Sequence, residues 1–181
     1  MIRPAFFFDR DGVVNLDPDP EPYVVSWDQW KWTPGLFDLL ADVKARGFAT
    51  ILVTSQRCVG KGLLLPQDLE ILHGRMQEIL GDLAFDTIRV HTGLPNDPIP
   101  PKPDPGMIVS AMEEHALDLS RSWLIGDADR DIAMANAAGV PHTIRVLGLK
   151  PVTVPALHAV RTLMQVQPLL ETILGPRPAR A

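Results

Sequence analysis

The chain contains a single cysteine, Cys58, and no apolar run near the roughly 20 residues needed to cross a bilayer. One cysteine excludes an intrachain disulfide and any zinc site built from several cysteines. The N-terminus has no basic segment followed by an apolar stretch and a small-residue cleavage site, so we expect no signal peptide. These absences favour a reducing, cytoplasmic setting and no membrane partner.

Basic residues are also scarce. Lys and Arg total 17 against 22 Asp and Glu, which gives a formal net charge of −5. This balance argues against a nucleic-acid binder, which usually carries a basic face. It leaves room for a small anionic substrate, because a metal ion and a few placed cations can reverse the local field. The chain has few lysines, so any lysine within a carboxylate-rich site is informative; they are Lys31, Lys44, Lys61, Lys102 and Lys150.

The pattern of apolar residues predicts strands that alternate with helices along all 181 residues. The predicted strands are 5–8, 48–53, 86–91, 122–127 and 140–146, with a weaker strand and helix over 158–174. The predicted helices are 34–46, 66–80, 104–117 and a short one that ends at 138. Such alternation indicates an α/β fold, a doubly wound, Rossmann-like parallel sheet with helices on both faces. We expect one domain over 1–175 and a flexible tail over 176–181.

Polar residues follow three of these strands, at the sheet edge where ligands bind in such folds. Asp9 and Asp11 follow the first strand, Thr54 ends the second, and Asp127 ends the fourth. Several carboxylates on one edge suit a hard divalent ion such as Mg²⁺, which prefers oxygen ligands. A lysine beside them, such as Lys102, would supply a fixed charge for a phosphate oxygen.

Four motifs carry a family resemblance. DRDG at 9–12, the strand ending in Thr54, Lys102 and GDADRD at 126–131 resemble, in order and spacing, the motifs of the haloacid dehalogenase (HAD) superfamily of phosphohydrolases. TSQ at 54–56, KPDPGM at 102–107 and other short pieces are similar to the group of D-glycero-D-manno-heptose 1,7-bisphosphate 7-phosphatases and histidinol-phosphatases. The resemblance implies a HAD-like fold, and the gaps between motifs are too short for a cap domain.

The resemblance implies the following catalytic and metal residues. Asp9 would be the nucleophile that forms an aspartyl-phosphate. Asp11 would protonate the leaving oxygen and then activate water. Mg²⁺ would be held by Asp9, the Asp11 backbone carbonyl and Asp127, with Asp131 ligating through water or orienting the other ligands.

It also implies residues for phosphate and substrate. Thr54, Ser55 and Lys102 would hold the transferring phosphoryl group, where stabilisation of charge is most of the catalysis. Possible substrate-binding residues are Asp17, Asp19, Gln56, Arg57 and Lys61. For Arg57 and Lys61 the alternative is an ordinary solvated loop.

The chain departs from the resembled group in two places. Members with a zinc loop carry Cys-x-His and Cys-x-Cys before the lysine, whereas here only His91 falls in that region. One histidine makes no zinc site, so we expect no zinc and a loop 92–103 ordered by its prolines. Pro101 stands where the group often has an arginine linked to substrate choice, which leaves the substrate open.

Three further residues carry structural expectations. Arg10 follows an extended strand, so its side chain is expected to point away from both flanking aspartates. Asp129 is expected to be a helix cap or to face solvent. Cys58 lies in a loop predicted to be exposed, with no catalytic role.

The sequence therefore predicts a monomeric, Mg²⁺-dependent phosphomonoester hydrolase for a small phosphorylated metabolite, with a sugar phosphate such as D-glycero-D-manno-heptose 1,7-bisphosphate as the leading substrate. The alternatives are a histidinol-phosphate phosphatase, a polynucleotide end phosphatase, which the acidic charge disfavours, and a non-enzymatic phosphate-binding domain. A binding domain would not require both the nucleophile and the acid, so the pair Asp9 and Asp11 favours an enzyme.

Overall fold

A computed structural model describes residues 2–17 and 21–178 of the chain. Its centre is one sheet of six parallel strands in the order β3-β2-β1-β4-β5-β6. The strands are β1 Ala5–Phe8, β2 Ala49–Ser55, β3 Thr87–His91, β4 Trp123–Gly126, β5 His142–Val146 and β6 His158–Val160. The helices are α1 Leu36–Ala45, α2 Pro66–Leu80, α3 Gly106–His115, α4 Asp129–Ala138 and α5 Val166–Leu174. The doubly wound, HAD-like fold expected from the sequence is confirmed.

Strand β1 lies at the middle of the sheet, between β2 and β4, and all four of its side chains are fully buried. Successive side chains of a strand point to opposite faces. Phe6 and Phe8 therefore join one core layer, while Ala5 and Phe7 join the other. Burying each phenylalanine stabilises the fold by about 1.5–3 kcal/mol. The AFFF segment therefore packs against the helices on both faces of the sheet.

The ends of the helices depend on backbone conformations that only some residues adopt easily. Helix α1 starts at Leu36, two residues after the predicted start, because Gly35 has a left-handed φ of 88°. Helix α2 has the predicted bounds 66–80. Helix α4 ends where the sequence places its stop, at Gly139 with φ 80°.

The strand order reverses between β1 and β4, and this switch point is where ligands bind in open α/β sheets. The segments 9–35 and 56–65 leave the sheet at this edge, and their described parts contain one short 3₁₀ helix, Trp27–Gln29, and no separate cap domain. Within 2–17 and 21–178, no helix has the length and apolarity that a bilayer crossing requires.

Candidate active site

Three buried carboxylates meet at the switch point. Asp9 follows β1, Asp127 follows β4, and Asp131 lies in the first turn of α4. One oxygen from each lies within 4.8 Å of the other two. Gly12 allows this approach, since a Cβ built at its φ of 87° would lie 2.0 Å from Asp127 Oδ2. The turn after β1 and the end of β4 therefore pack as one unit.

Lys102 supplies positive charge to two of the three carboxylates. Its Nζ donates to Asp9 Oδ1 and to Asp131 Oδ1, each at 2.7 Å. Burial disfavours the ammonium, but the charges of Asp131 and Asp9 outweigh burial and raise the pKa of Lys102. Burial and the charge of Asp131 raise the pKa of Asp9 in spite of Lys102. One ammonium is thus not enough to balance the cluster.

The cluster fits a hard divalent cation. Asp127 is buried, and its Oδ1 has no hydrogen-bond partner among the described residues. A buried acceptor without a hydrogen bond lowers the stability of the folded protein. Burial and the charge of Asp9 raise the pKa of Asp127 to about 7. A cation with oxygen ligands would satisfy the free oxygen and neutralise the excess charge.

The Asp11 side chain points away from the three-carboxylate cluster. Its Oδ1 accepts hydrogen bonds from Arg10 Nη2 at 3.0 Å and Asn15 Nδ2 at 2.9 Å, and its Oδ2 accepts from Gln56 Nε2 at 2.9 Å. The expectation that Arg10 points away from both aspartates is wrong for Asp11. The strand has already ended at Arg10, whose carbonyl accepts from the amides of Val14 and Asn15, so side chains no longer alternate there.

Arg10 is fully buried and fixed on three sides. Its guanidinium lies 5.6 Å from the centre of the Trp30 ring and 3.3 Å from His73 Nε2. Burial and the positive charge of Arg10 lower the pKa of His73 to about 3, so the ring is neutral. Burial raises the pKa of Asp11, but Arg10, Asn15 and Gln56 together hold it below its usual value. Asp11 is therefore a carboxylate in this arrangement.

The end of β2 contributes a bridge to Asp11. Gln56 Nε2 donates to Thr54 Oγ1 at 2.8 Å as well as to Asp11, and Gln56 has no exposed surface. Thr54 is also buried, and Ser55 Oγ has no partner among the residues described. Gln56 therefore links β2 to the turn after β1. Its side chain has no exposed surface through which it could contact a substrate.

The remaining substrate candidates lie in two loops. Asp17 is exposed and pairs with Lys150, while Asp19 lies outside the described residues. Arg57 is exposed, and Lys61 Nζ lies 5.1 Å from the centre of the Tyr23 ring. A cation–π contact of this kind is weak at an exposed site, about 0.5–1 kcal/mol, so it does little to fix the position of Lys61.

Sequence reasoning missed two cations near the cluster. Lys150, in the loop after β5, contacts Asp127 Oδ2 and lies 3.0 Å from Asp17 Oδ2. Arg130, the second residue of α4, is exposed, and although burial acts against it, the carboxylates led by Asp9 and Asp131 raise its pKa. Both positions carried a signal, because β5 ends at the same sheet edge and Arg130 lies inside the GDADRD motif.

Two structural expectations are corrected. Asp129 neither caps a helix nor simply faces solvent, since its carboxylate accepts from Arg145 Nη1 at 2.8 Å and from the amides of Thr153 and Val154. It ties α4 to the segment after β5, a partner too distant in sequence to predict.

Cys58 is fully buried, because its loop folds inward, and burial raises the pKa of its thiol.

The loop before Lys102 is cross-linked by a carboxylate. Asp97 accepts hydrogen bonds from the backbone amide and hydroxyl of Thr92, and its Oδ1 accepts from the Ile99 amide at 3.0 Å. His91 Nδ1 lies 2.7 Å from the Ile99 carbonyl. These bonds hold the two arms of the loop together, in addition to any stiffening by prolines.

Comparisons with known proteins agree with this fold. The HAD-hydrolase-like family model matches residues 99–148. The D-glycero-beta-D-manno-heptose-1,7-bisphosphate 7-phosphatase of Rhodopseudomonas palustris is 32% identical over 149 residues, which cover 77% of this chain and 81% of that protein. The D-glycero-alpha-D-manno-heptose-1,7-bisphosphate 7-phosphatase of Burkholderia mallei is 31% identical, with 81% of each chain covered.

A solved structure is similar over almost its whole length. D,D-heptose 1,7-bisphosphate phosphatase from B. bronchiseptica, complexed with magnesium and phosphate, gives a TM-score of 0.78 at 27% identity and covers 93% of this chain and 99% of that chain. A putative HAD-like phosphatase from Mesorhizobium loti gives 0.81 at 28% identity, covering 99% of this chain and 90% of that one. The chain belongs to the haloacid dehalogenase-like family and is a phosphatase of that family.

Proposed function

We propose that this chain is a Mg²⁺-dependent phosphomonoester hydrolase that removes the 7-phosphate of D-glycero-D-manno-heptose 1,7-bisphosphate through an aspartyl-phosphate on Asp9. The observation that carries the chemistry is the contact of Lys102 with both Asp9 and Asp131, beside the free oxygen of Asp127. The substrate rests on the names of the relatives. Since relatives named for the alpha and the beta anomer are about equally similar, the proposal covers both.

Asp9 is proposed as the nucleophile. Its carboxylate oxygen attacks phosphorus, and the bond from phosphorus to the leaving sugar oxygen breaks. Lys102 and the hydroxyl of Thr54 stabilise the charge on the phosphoryl oxygens. Mg²⁺ held by Asp9, Asp127 and Asp131, together with the backbone carbonyl of Asp11, would neutralise charge shared between phosphate and carboxylates.

Asp11 is proposed as the acid and base. It gives a proton to the leaving sugar oxygen, and it then takes a proton from the water that hydrolyses the aspartyl-phosphate. The lowered pKa of Asp11 favours its carboxylate form, which suits the second task. For the first, Asp11 must exchange at least one bond to Arg10, Asn15 or Gln56 for one to the substrate and take up a proton.

The substrate is tested with purified protein and a panel of phosphorylated compounds, ranked by kcat/KM. Heptose 1,7-bisphosphate is expected to rank first, with inorganic phosphate as the product, and a chelator should abolish the activity until Mg²⁺ is restored. A preference for histidinol phosphate, or for phosphorylated nucleic-acid ends, would contradict the substrate but not the chemistry. Absence of hydrolysis across the panel with Mg²⁺ present would contradict the proposed chemistry.

Mg²⁺ binding is expected to strengthen from pH 6 to pH 8. Without metal, the raised pKa of about 7 keeps Asp127 mostly protonated at pH 6, so the cation has to displace a proton there. A carboxyl group with a raised pKa contributes stability below its unfolded value of 3.8, and this stability is lost as pH rises through 7. The metal-free Tm should therefore fall over this window while the Mg²⁺-induced rise in Tm grows. An equal Mg²⁺ effect at both pH values would exclude Asp127 as the titrating ligand.

A further inference from the structure

Lys150 links two loops above the carboxylate cluster. It lies in the loop after β5, four residues beyond Val146, and its ammonium contacts Asp127 Oδ2. The same Nζ lies 3.0 Å from Asp17 Oδ2 in the loop after β1. The two loops border a cavity of about 490 Å³ that reaches Gly12 and Asp127. The ammonium therefore stands where this cavity meets the proposed metal site.

The two oxygens of Asp127 have different surroundings. Oδ2 is bound by Lys150, whereas Oδ1 is buried and has no partner within the described part of the chain. Asp9 and Asp131 share Lys102. Before any metal binds, three carboxylates thus face two lysines, with Arg130 nearby, and one of these lysines contacts a proposed metal ligand.

A metal ion on Asp127 would share that carboxylate with a positive charge. Lysine stays protonated near neutral pH, so Lys150 cannot relieve the repulsion by losing a proton. Two cations on one carboxylate repel each other, and the repulsion is stronger in the protein than in bulk water because the effective dielectric constant is lower. Orientation of Asp127 depends less on Lys150, because Asp127 is also packed against Gly12. The repulsion is therefore the larger effect.

We propose that Lys150 pairs with Asp127 in the metal-free protein and thereby lowers the affinity of this site for Mg²⁺. The inference rests on the metal site of the proposed function. Asp17 gives the ammonium a second partner, since its side chain is about half exposed and lies on the opposite loop. Metal binding then transfers Lys150 from a shared position towards Asp17 alone. Lys150 is a positioning residue, because it acts on the metal through Asp127.

The test is Mg²⁺ titration by calorimetry at pH 8.5, where protons compete least for Asp127, in the absence of substrate, on wild type and on Lys150→Met. The variant is expected to bind Mg²⁺ at least about tenfold more tightly, since the repulsion is gone. Its metal-free Tm should fall, because Asp127 loses its counter-charge. Lys150→Arg keeps the charge and should bind as wild type does. The matched control is Lys31→Met, at an exposed lysine outside the site.

A second variant guards against loss of folding. Asp17→Asn leaves Lys150 with Asp127 as its carboxylate partner, so Mg²⁺ should bind several-fold more weakly, and this effect should disappear in the Lys150→Met background. Unchanged or weaker Mg²⁺ binding by Lys150→Met, or an Asp17→Asn effect that persists without Lys150, would overturn the inference. Failure of the proposed function would be distinct, because the wild type itself would neither bind Mg²⁺ nor hydrolyse a phosphomonoester.

Discussion

Asp9→Asn is expected to lower kcat/KM for any phosphomonoester by about three orders of magnitude or more, because an amide cannot form the aspartyl-phosphate. The protein should nevertheless remain folded, with a metal-free Tm equal to or above that of wild type. Burial and the charge of Asp131 raise the pKa of Asp9, so its ionised form is held at a cost that asparagine removes. Steady-state kinetics and thermal unfolding measure the two effects.

The pH dependence of this variant has a definite sign. A carboxyl group with a raised folded pKa contributes stability below its unfolded pKa, and the contribution is lost as pH rises through the folded value. The stability of Asp9→Asn relative to wild type should therefore improve with rising pH. Asp38→Asn, on the exposed face of α1, is the matched control and should change neither property. Wild-type turnover by Asp9→Asn would refute the nucleophile assignment.

Lys102→Met is expected to abolish activity and also to destabilise the metal-free protein. Both Lys102 and its partners Asp9 and Asp131 are buried, and the substitution leaves two carboxylates without their shared ammonium. Removing one partner of a buried ion pair costs about 3–5 kcal/mol. The free energy of unfolding from urea titrations should show this loss at pH 8. The loss should shrink at pH 5, where protonation can neutralise a carboxylate.

Mg²⁺ separates the electrostatic cause from a packing cause. If the loss of stability comes from excess negative charge, Mg²⁺ should restore more stability to Lys102→Met than it adds to wild type. Lys44→Met, on α1 and far from the site, should have no comparable effect. A destabilisation by Lys102→Met that is the same at both pH values and insensitive to Mg²⁺ would indicate lost packing instead.

Two of the three clustered carboxylates could be identified from sequence because each directly follows a strand. Asp9 follows β1 and Asp127 follows β4, and these strands are neighbours in the sheet. Parallel strands bring their carboxyl ends to one edge, so strand prediction alone places both carboxylates together. Lys102 could be proposed as a phosphate-binding lysine, but its contacts could not be predicted, because no local pattern predicts the path of its loop.

The surroundings of Asp11 and Asp127 could not be predicted in the same way. Strand alternation predicted the wrong direction for the Arg10 side chain, since the chain already turns at Arg10, two residues after β1 ends. The partners of Arg10 include His73 on α2 and Trp30 in the irregular segment before α1, which are distant along the chain. The contact of Lys150 with Asp127 likewise joins residues 23 positions apart.

By itself the sequence determined the doubly wound sheet and the carboxylates at its edge, because apolar periodicity and strand ends are local properties. Only the tertiary structure decided which cation neutralises which carboxylate. Lys102 pairs with Asp9 and Asp131, Arg10 pairs with Asp11, and Lys150 pairs with Asp127. Such pairing depends on where long side chains from separate loops meet, and on the burial that makes each unpaired charge costly.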